Sequence, residues 1–336
     1  MLAKLSDKLQ KAWYEGHCLL WLLLPLSWLF EALAVYRRSL YLEEKKEVYT
    51  APCPVIIVGN INVGGSGKSP MVIWLVNKLK NAGYSPGVIS RGYGGTAPYY
   101  PFSVDVNSQP EHVGDEPWMI WHRTGVPCVV DPVRPRGVEY LVKTEGCNVI
   151  VSDDGLQHYA LGRDIEIAVV DGSRGLGNAR CLPYGPLREP VSRLQSVDFV
   201  VLNGGAKRVD ISGYSMSLKS SEFYKVNEIA LPDKIAMKPS VKEKVHAVAG
   251  IGHPQRFFDT LSGLGYSFEP HAFPDHYPFS QEDLCFKGPK KILMTEKDAV
   301  KCFSFADENA YYLTVDAVVE DTLWSAIQKK LVAETN

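Results

Sequence analysis

The run GNINVGGSGKSP, Gly59 to Pro70, holds the residue types that bind a chain of phosphates. Glycines let backbone N–H groups converge on phosphate oxygens, an amine reaches the outer phosphates, and a hydroxyl supplies one oxygen to a hard cation. Here Asn62, Gly64, Gly65, Ser66 and Gly67 would form the cradle, with Lys68 the amine for the β- and γ-phosphates and Ser69 the hydroxyl for Mg²⁺. The usual spacing GxxxxGK[ST] has a glycine where this chain has Asn62. Asparagine follows glycine in tolerating left-handed backbone angles, so the loop is expected to keep its turn. The alternative is a glycine-rich turn with no ligand. A second signal is SDDGLQH, Ser152 to His158. Its acids follow an apolar strand, where open α/β sheets hold ligands, so Asp153 or Asp154 would meet Mg²⁺ directly or through water. The competing reading is a solvated turn whose aspartates cap a helix.

Such residues work only if strands and helices aim them. Val55 to Gly59 (VIIVG) reads as a buried strand entering the loop, and Met71 to Asn81 as the helix leaving it, stopped by Gly83. Gly87 to Ser90 is the next strand. Further apolar runs near Cys128 and at Asn148–Ser152, Ile165–Val170 and Asp198–Leu202 alternate with loops and helical stretches. The pattern predicts an α/β fold of the P-loop NTPase kind, a mostly parallel sheet with helices on both faces. After Gly204 and Gly205 a polar stretch leads to a second α/β series, with strands at Val245–Ile251 and Lys291–Thr295 and a helix near Pro254–Leu264. The expected division is therefore 1–40, an N-terminal helical segment; 41–204, the phosphate-loop domain; and 205–336, a smaller α/β domain.

Composition narrows the partners. A net charge of -2 from 36 basic and 38 acidic residues offers no footprint for a polyanion, which argues against nucleic acid. Seven scattered cysteines without a CxxC pair read as free thiols in a reducing compartment and not as a zinc site. No obligate protein partner is inferred. The apolar run Cys18 to Phe30 has Lys4, Lys8 and Lys11 before it and Arg37 and Arg38 after it, with no small-residue cleavage site. Its 13 residues, with Pro25 inside, fall short of the roughly 20 of a spanning helix, while Trp13, Trp21 and Trp28 suit the headgroup region. A monotopic anchor is expected; a buried core helix and a true span are the alternatives.

The phosphate loop is followed in order by SRGYGG (Ser90–Gly95), GDEP (Gly114–Pro117), DDGLQH (Asp153–His158), GPLREP (Gly185–Pro190) and FPDHYPF (Phe273–Phe279). That series, with the apolar N-terminus, resembles the tetraacyldisaccharide 4'-kinase family over most of the chain. The resemblance implies an enzyme of the cytoplasmic face of the Gram-negative inner membrane. With ATP and Mg²⁺ it would phosphorylate a membrane-borne tetraacyldisaccharide 1-phosphate to give lipid IVA. It also implies roles: Asp115 as catalytic base with His276 as partner; Glu116, Asp153, Asp154 and Glu189 around metal and phosphate; Arg91 and Tyr93 near nucleotide or acceptor; Gln157 and His158 completing the wall. For Glu116 a helix cap before Pro117, and for Arg91 a structural ion pair, stay open. GPLREP suits a mobile lid or a rigid loop.

Two motifs are set aside. TEKD, Thr295 to Asp298, is like the guanine-reading NKxD, but Lys297 and Asp298 are adjacent, which favours ATP over GTP. His271 and His276 flank Pro274 and lack a third ligand for zinc. The rival function is a membrane-associated ATPase switch, which has no need of an Asp115–His276 pair. A soluble small-molecule kinase would leave Cys18–Phe30 unexplained.

Overall fold

The computed structural model describes residues 2–205, 211–229, 234–237, 239–288 and 291–335. The chain opens with helix α1 (Leu2–Glu15), a 3-10 turn (Cys18–Leu23) and α2 (Leu24–Leu42). Strand β1 (Val55–Gly59), α3 (Lys68–Asn81), β2 (Pro86–Ser90), β3 (Phe102–Ser103), α4 (Pro110–Val113), α5 (Asp115–Thr124) and β4 (Cys128–Val130) follow. Next come α6 (Arg134–Lys143), β5 (Val149–Asp153), β6 (Ile165–Asp171), β7 (Phe199–Asn203), β8 (Tyr214–Lys225) and β9 (Val245–Ala249). The last elements are α7 (Pro254–Gly263), β10 (Phe268–Ala272), β11 (Ile292–Thr295), α8 (Glu296–Cys302), β12 (Ala310–Val319) and α9 (Asp321–Thr335).

Two compact units emerge, Met1–Arg91 with Asp131–Leu218 and Ala317–Asn336, and Gly92–Val130 with Lys219–Asp316. They do not follow the single boundary expected at Gly204. Segment 92–130 groups with the second unit and the C-terminal helix with the first, because tertiary pairing ignores sequence distance. The polar stretch expected to separate domains contains β8, which begins in one unit and ends in the other. Met216 and Phe223 are its buried side chains among mostly polar neighbours, so no apolar run announces it. Residues 206–210 of that stretch lie outside the described residues.

In the first unit the strand order is β8-β7-β6-β1-β5-β2, and these neighbours pair in parallel. Strands β1, β2, β5 and β6 are buried along their whole length, as expected where both faces of a parallel sheet are covered. Helices α3 and α9 meet through Trp74 and Trp324, edge to face at 6.5 Å. In the second unit β10-β9-β11-β12 run in parallel, with the end of β8 beside β12, and β3 pairs antiparallel with β4. Its core gathers Phe223, Phe257, Phe258, Leu261 and Leu313.

The N-terminal helical stretch is longer than the 13-residue apolar run implies. Pro25 lies in the first turn of α2, where a missing N–H costs nothing, so it starts the helix instead of interrupting it. The helical stretch Leu20–Leu42 has 23 residues and a mean hydropathy of 1.3, long and apolar enough to cross a membrane. Only 11% of its apolar window is buried, which is not the burial of a core helix. Trp13 Nε1 donates to Pro183 O at 3.0 Å and Ser27 Oγ to Cys181 O at 2.7 Å, tying α1 and α2 to the loop before GPLREP.

Candidate active site

In the first unit β1 delivers the chain into the loop and α3 receives it at Lys68. Gly67 is the residue before the helix, at φ 93°, and a Cβ there would come within 2.6 Å of the Asn203 side chain, so only glycine fits. Asn203 Nδ2 donates to Ser66 O at 3.0 Å, and Asn60 Nδ2 reaches Ser66 Oγ at 3.3 Å. The loop is thus braced from β7 and from its own start. Asn62 does not adopt left-handed angles; Gly64 and Gly67 take them instead. Asn62 bridges in β fashion to Leu187 and its amide reaches Gly175 O at 3.4 Å, so its side-chain hydrogen bond, not backbone tolerance, accounts for the asparagine. Ser69 is buried in the first turn of α3.

Strand β5 ends on Asp153, whose Oδ2 accepts from Ser90 Oγ at 3.3 Å. Asp154 follows at φ 48°, a left-handed angle that costs a non-glycine residue about 1–3 kcal/mol. That bend turns its carboxylate toward cations: Lys68 Nζ lies 3.5 Å from Oδ1 and Arg188 Nη1 2.9 Å from Oδ2. Burial pushes this carboxyl up, but Lys68 and Arg188 outweigh it and hold it at about 2. Arg134 Nη2 binds the carbonyls of Asp153 and Asp154 at 2.6 and 2.9 Å, fixing the bend from below; its own pKa falls to about 10 through burial. Arg134 and Arg188 were not among the expected site residues. Arg188 stood inside the quoted GPLREP, whereas nothing in the sequence singles out Arg134.

GPLREP is bonded to the phosphate loop. Val63 N donates to Pro186 O at 2.8 Å and Arg188 N to Ile61 O at 2.6 Å, the pattern of a built-in wall and not of a detached lid. Glu189 is buried and gives its oxygens to Tyr159 OH and, at 2.8 Å, to Gln157 Nε2. Gln157 also donates to Asn60 O at 3.1 Å. His158 is pulled down to about 4 by burial and by Arg134 and Arg163, so it is neutral. Arg91 is exposed just beyond β2.

In the second unit α5 begins at Asp115, not at Pro117, with Gly114 before it at φ 87°. A Cβ on Gly114 would strike Tyr93 O at 2.7 Å. Asp115 therefore sits in the first turn, where N–H groups and the helix dipole favour an anion, and its Oδ1 accepts from Glu116 N at 2.9 Å. His276 Nδ1 lies 3.1 Å from Asp115 Oδ2, and the Tyr93 ring stands edge-on to the imidazole at 5.1 Å. His276 too is left-handed, at φ 56°. Burial works to raise the Asp115 carboxyl, but the His276 contact and the Lys297 charge hold it below its ordinary value. The Asp115 contact raises His276, with burial and Lys297 pulling the other way. Glu116 is no helix cap: its Oε1 pairs with Lys297 Nζ at 3.0 Å. The expected metal carboxylates thus divide, Asp153, Asp154 and Glu189 in the first unit and Glu116 in the second. Among the described residues no cluster of three His, Cys, Asp or Glu side chains is arranged for a metal, and His271 pairs with His246 at 3.0 Å.

Residues 19–332 match the family model described as tetraacyldisaccharide-1-P 4'-kinase. The chain belongs to that family. A tetraacyldisaccharide 4'-kinase of Pseudomonas fluorescens (strain Pf0-1) is 47% identical over 94% of this chain and 93% of its own length. One from Nitrosococcus oceani is 46% identical over 98% of each chain. Among solved structures, the kinase of Aquifex aeolicus in complex with ATP superposes with a TM-score of 0.76 at 27% identity, covering 93% of this chain and 99% of that one. This family membership makes the chain a lipid kinase, and the match to the ATP complex extends over both units.

Proposed function

We propose that the chain transfers the γ-phosphate of ATP to the 4'-hydroxyl of a tetraacyldisaccharide 1-phosphate, the loop of the first unit holding the nucleotide and Asp115 activating the acceptor. The carrying observation is the Asp115–His276 contact at 3.1 Å, which an ATPase switch does not need. Asp115 Oδ2 is buried against His276 Nδ1, and a carboxylate oxygen has a second lone pair that a substrate O–H can use. The acceptor's proton passes to that carboxylate, its oxygen bonds to the γ-phosphorus, and the bond from phosphorus to the bridging oxygen breaks to release ADP. The loop amides, Lys68 and Arg188 neutralise phosphate charge, and His276 orients the base.

Ser69, Asp153 and Asp154 offer hard oxygen donors of the kind Mg²⁺ takes alongside its waters, so they fit that ion. When bound, Mg²⁺ supplies charge neutralisation on the phosphate oxygens. Glu189 serves indirectly, by orienting Gln157, and Glu116 by holding Lys297. Gln157, His158 and Arg91 line the nucleotide side; Tyr93 shapes the acceptor side. Helix α2 holds the chain at the cytoplasmic face of the inner membrane, where the acyl chains of the acceptor lie.

The test is incubation with γ-labelled ATP and the disaccharide acceptor, followed by product mass. One added phosphate on the acceptor supports the assignment; labelled inorganic phosphate alone, whether or not acceptor is present, points to the switch.

A further inference from the structure

Helix α8 opens with Glu296 and Lys297, consecutive residues of the TEKD run that reach opposite ends of α5. Glu296 Oε2 accepts from Arg123 Nη1 at 2.8 Å near the C-terminal end of α5, and Arg123 also holds Asp316. Lys297 Nζ sits at the N-terminal end. It lies 3.0 Å from Glu116 Oε1, 3.4 Å from Asp275 Oδ1 and 3.9 Å from Asp115 Oδ2, with His276 Nε2 at 3.3 Å. Those are the charged and titratable groups that face it, along with Lys301 further down α8, which is itself paired to Asp298 at 2.8 Å. The Tyr93 ring closes the other side of His276.

An ammonium among three carboxylates keeps its proton, and burial, which alone would lower the pKa of Lys297, is outweighed by Glu116, Asp115 and Asp275. A ring nitrogen 3.3 Å from such a donor acts as the acceptor. Nε2 of His276 is then bare, and the ring proton sits on Nδ1, facing Asp115 Oδ2. We propose that Lys297 is a positioning residue for phosphoryl transfer: it fixes the Nδ1–H tautomer of His276, which aims the Asp115 carboxylate at the acceptor hydroxyl. Without that ammonium, Asp115 draws a second proton onto the ring, and a carboxylate paired to an imidazolium is a weaker base. The inference rests on the reading of Asp115 as the base. The Arg123–Glu296 pair remains in a Lys297 variant, so α5 keeps its seat.

The experiment compares wild type, Lys297→Met, Lys297→Arg, Asp115→Asn and the Lys297→Met/Asp115→Asn double variant, each assayed with ATP and acceptor. A ¹⁵N spectrum of the His276 ring accompanies them. Lys297→Met is expected to lower kcat about 100-fold, as misorientation of a reacting group does, with KM for ATP unchanged. Lys297→Arg recovers most of that loss. In the Asp115→Asn background Lys297→Met costs less than about threefold, since the two act as a unit. The ring spectrum shows the neutral Nδ1–H form in wild type and imidazolium in Lys297→Met. If Lys297→Met is too unstable to assay, Lys297→Ala, which likewise removes the donor, takes its place in the same comparison. A Lys297 variant at wild-type rate beside an inactive Asp115→Asn overturns this inference alone, as does the full loss persisting in the double variant. Asp115→Asn at wild-type rate removes the base assignment and this inference with it.

Discussion

The phosphate loop comes from one stretch, Gly59 to Pro70, while Asp115, His276 and Lys297 come from three separate segments of the second unit. Both sites use a left-handed non-glycine residue, Asp154 at φ 48° in one and His276 at φ 56° in the other, to turn a side chain where regular backbone would not. The electrostatics differ. In the first unit one carboxylate is surrounded by cations, Lys68 and Arg188, as suits a place that awaits phosphate. In the second, one cation, Lys297, is surrounded by carboxylates, and the Asp115 carboxyl is held below its ordinary value. A site that binds charge can be written locally, because backbone amides do most of the work; a site that moves a proton needs partners brought from elsewhere.

The largest expected effect tests the local half. Lys68→Ala removes the amine set for the transferring phosphate and should lower kcat by about 10³-fold or more, with a melting temperature near wild type. A folded Lys68→Ala enzyme with substantial turnover would break the phosphate-loop assignment.

The assembled half is tested next. Asp115→Ala and His276→Ala should each lower kcat, by about 10²–10⁴-fold for the base, while nucleotide binding is retained. Because His276 acts through Asp115, the double variant should be little worse than Asp115→Ala alone. Strictly additive losses, or loss of ATP binding in either single variant, would count against the pair.

How far each half was legible follows from the same contrast. Strands β1, β2, β5, β6 and β7 showed as apolar runs because both faces of a parallel sheet are buried, and the loop between β1 and α3 carried its own signature. Strand β8 did not show, since its burial alternates among serines and lysines. Nor did β12 and α9. Arg134 was invisible because it binds two main-chain carbonyls, a task that leaves no pattern in the sequence. The pairing of Asp115 with His276 rests in the sequence on resemblance alone, through the motifs GDEP and PDHYPF, and the two side chains lie 3.1 Å apart. TEKD was discounted as a base-reading motif, and all three of its charged residues turn out to be held in ion pairs: Glu296 to Arg123, Lys297 to Glu116, Asp298 to Lys301.

A third prediction concerns α2, on the first unit. Trp21, Leu22, Leu26, Leu29 and Leu33 are exposed, an apolar surface that water does not favour. Replacing Leu26 and Leu29 together by Gln should weaken partition into anionic vesicles by about a hundredfold or more, at roughly 1.5–3 kcal/mol per leucine, and leave hydrolysis-independent ATP binding alone. Unchanged vesicle binding would remove α2 as the anchor. Protease protection with the two ends of the helix on opposite sides would make it a span.

The smallest effect sharpens the comparison at the far end of α5. His122 stacks on Trp118 at 5.0 Å with its Nε2 2.7 Å from Lys234 Nζ, which also reaches Tyr312 OH at 2.8 Å. An ammonium that close must donate to a bare nitrogen, so His122 is neutral, and burial followed by Lys234 and Arg123 pulls its pKa down to about 4. The sign is set by which state binds the proton. An unfolded chain takes it near pH 6.5 and the folded one only near 4, so stability conferred by the neutral ring is full above 6.5 and is lost as pH falls toward 4. His158, in the first unit, is lowered to about 4 as well, by burial and its arginine neighbours. His122→Gln keeps an acceptor for Lys234 but cannot take a proton, so its denaturation midpoint should fall less than that of wild type between pH 6.5 and 4. His158→Gln should show the same flattening in the first unit, and the two together should add, because each histidine belongs to its own unit. A His122→Gln protein that loses midpoint over this range as steeply as wild type would mean the ring is already charged when folded, and the Lys234 contact would then have to run through Tyr312 alone.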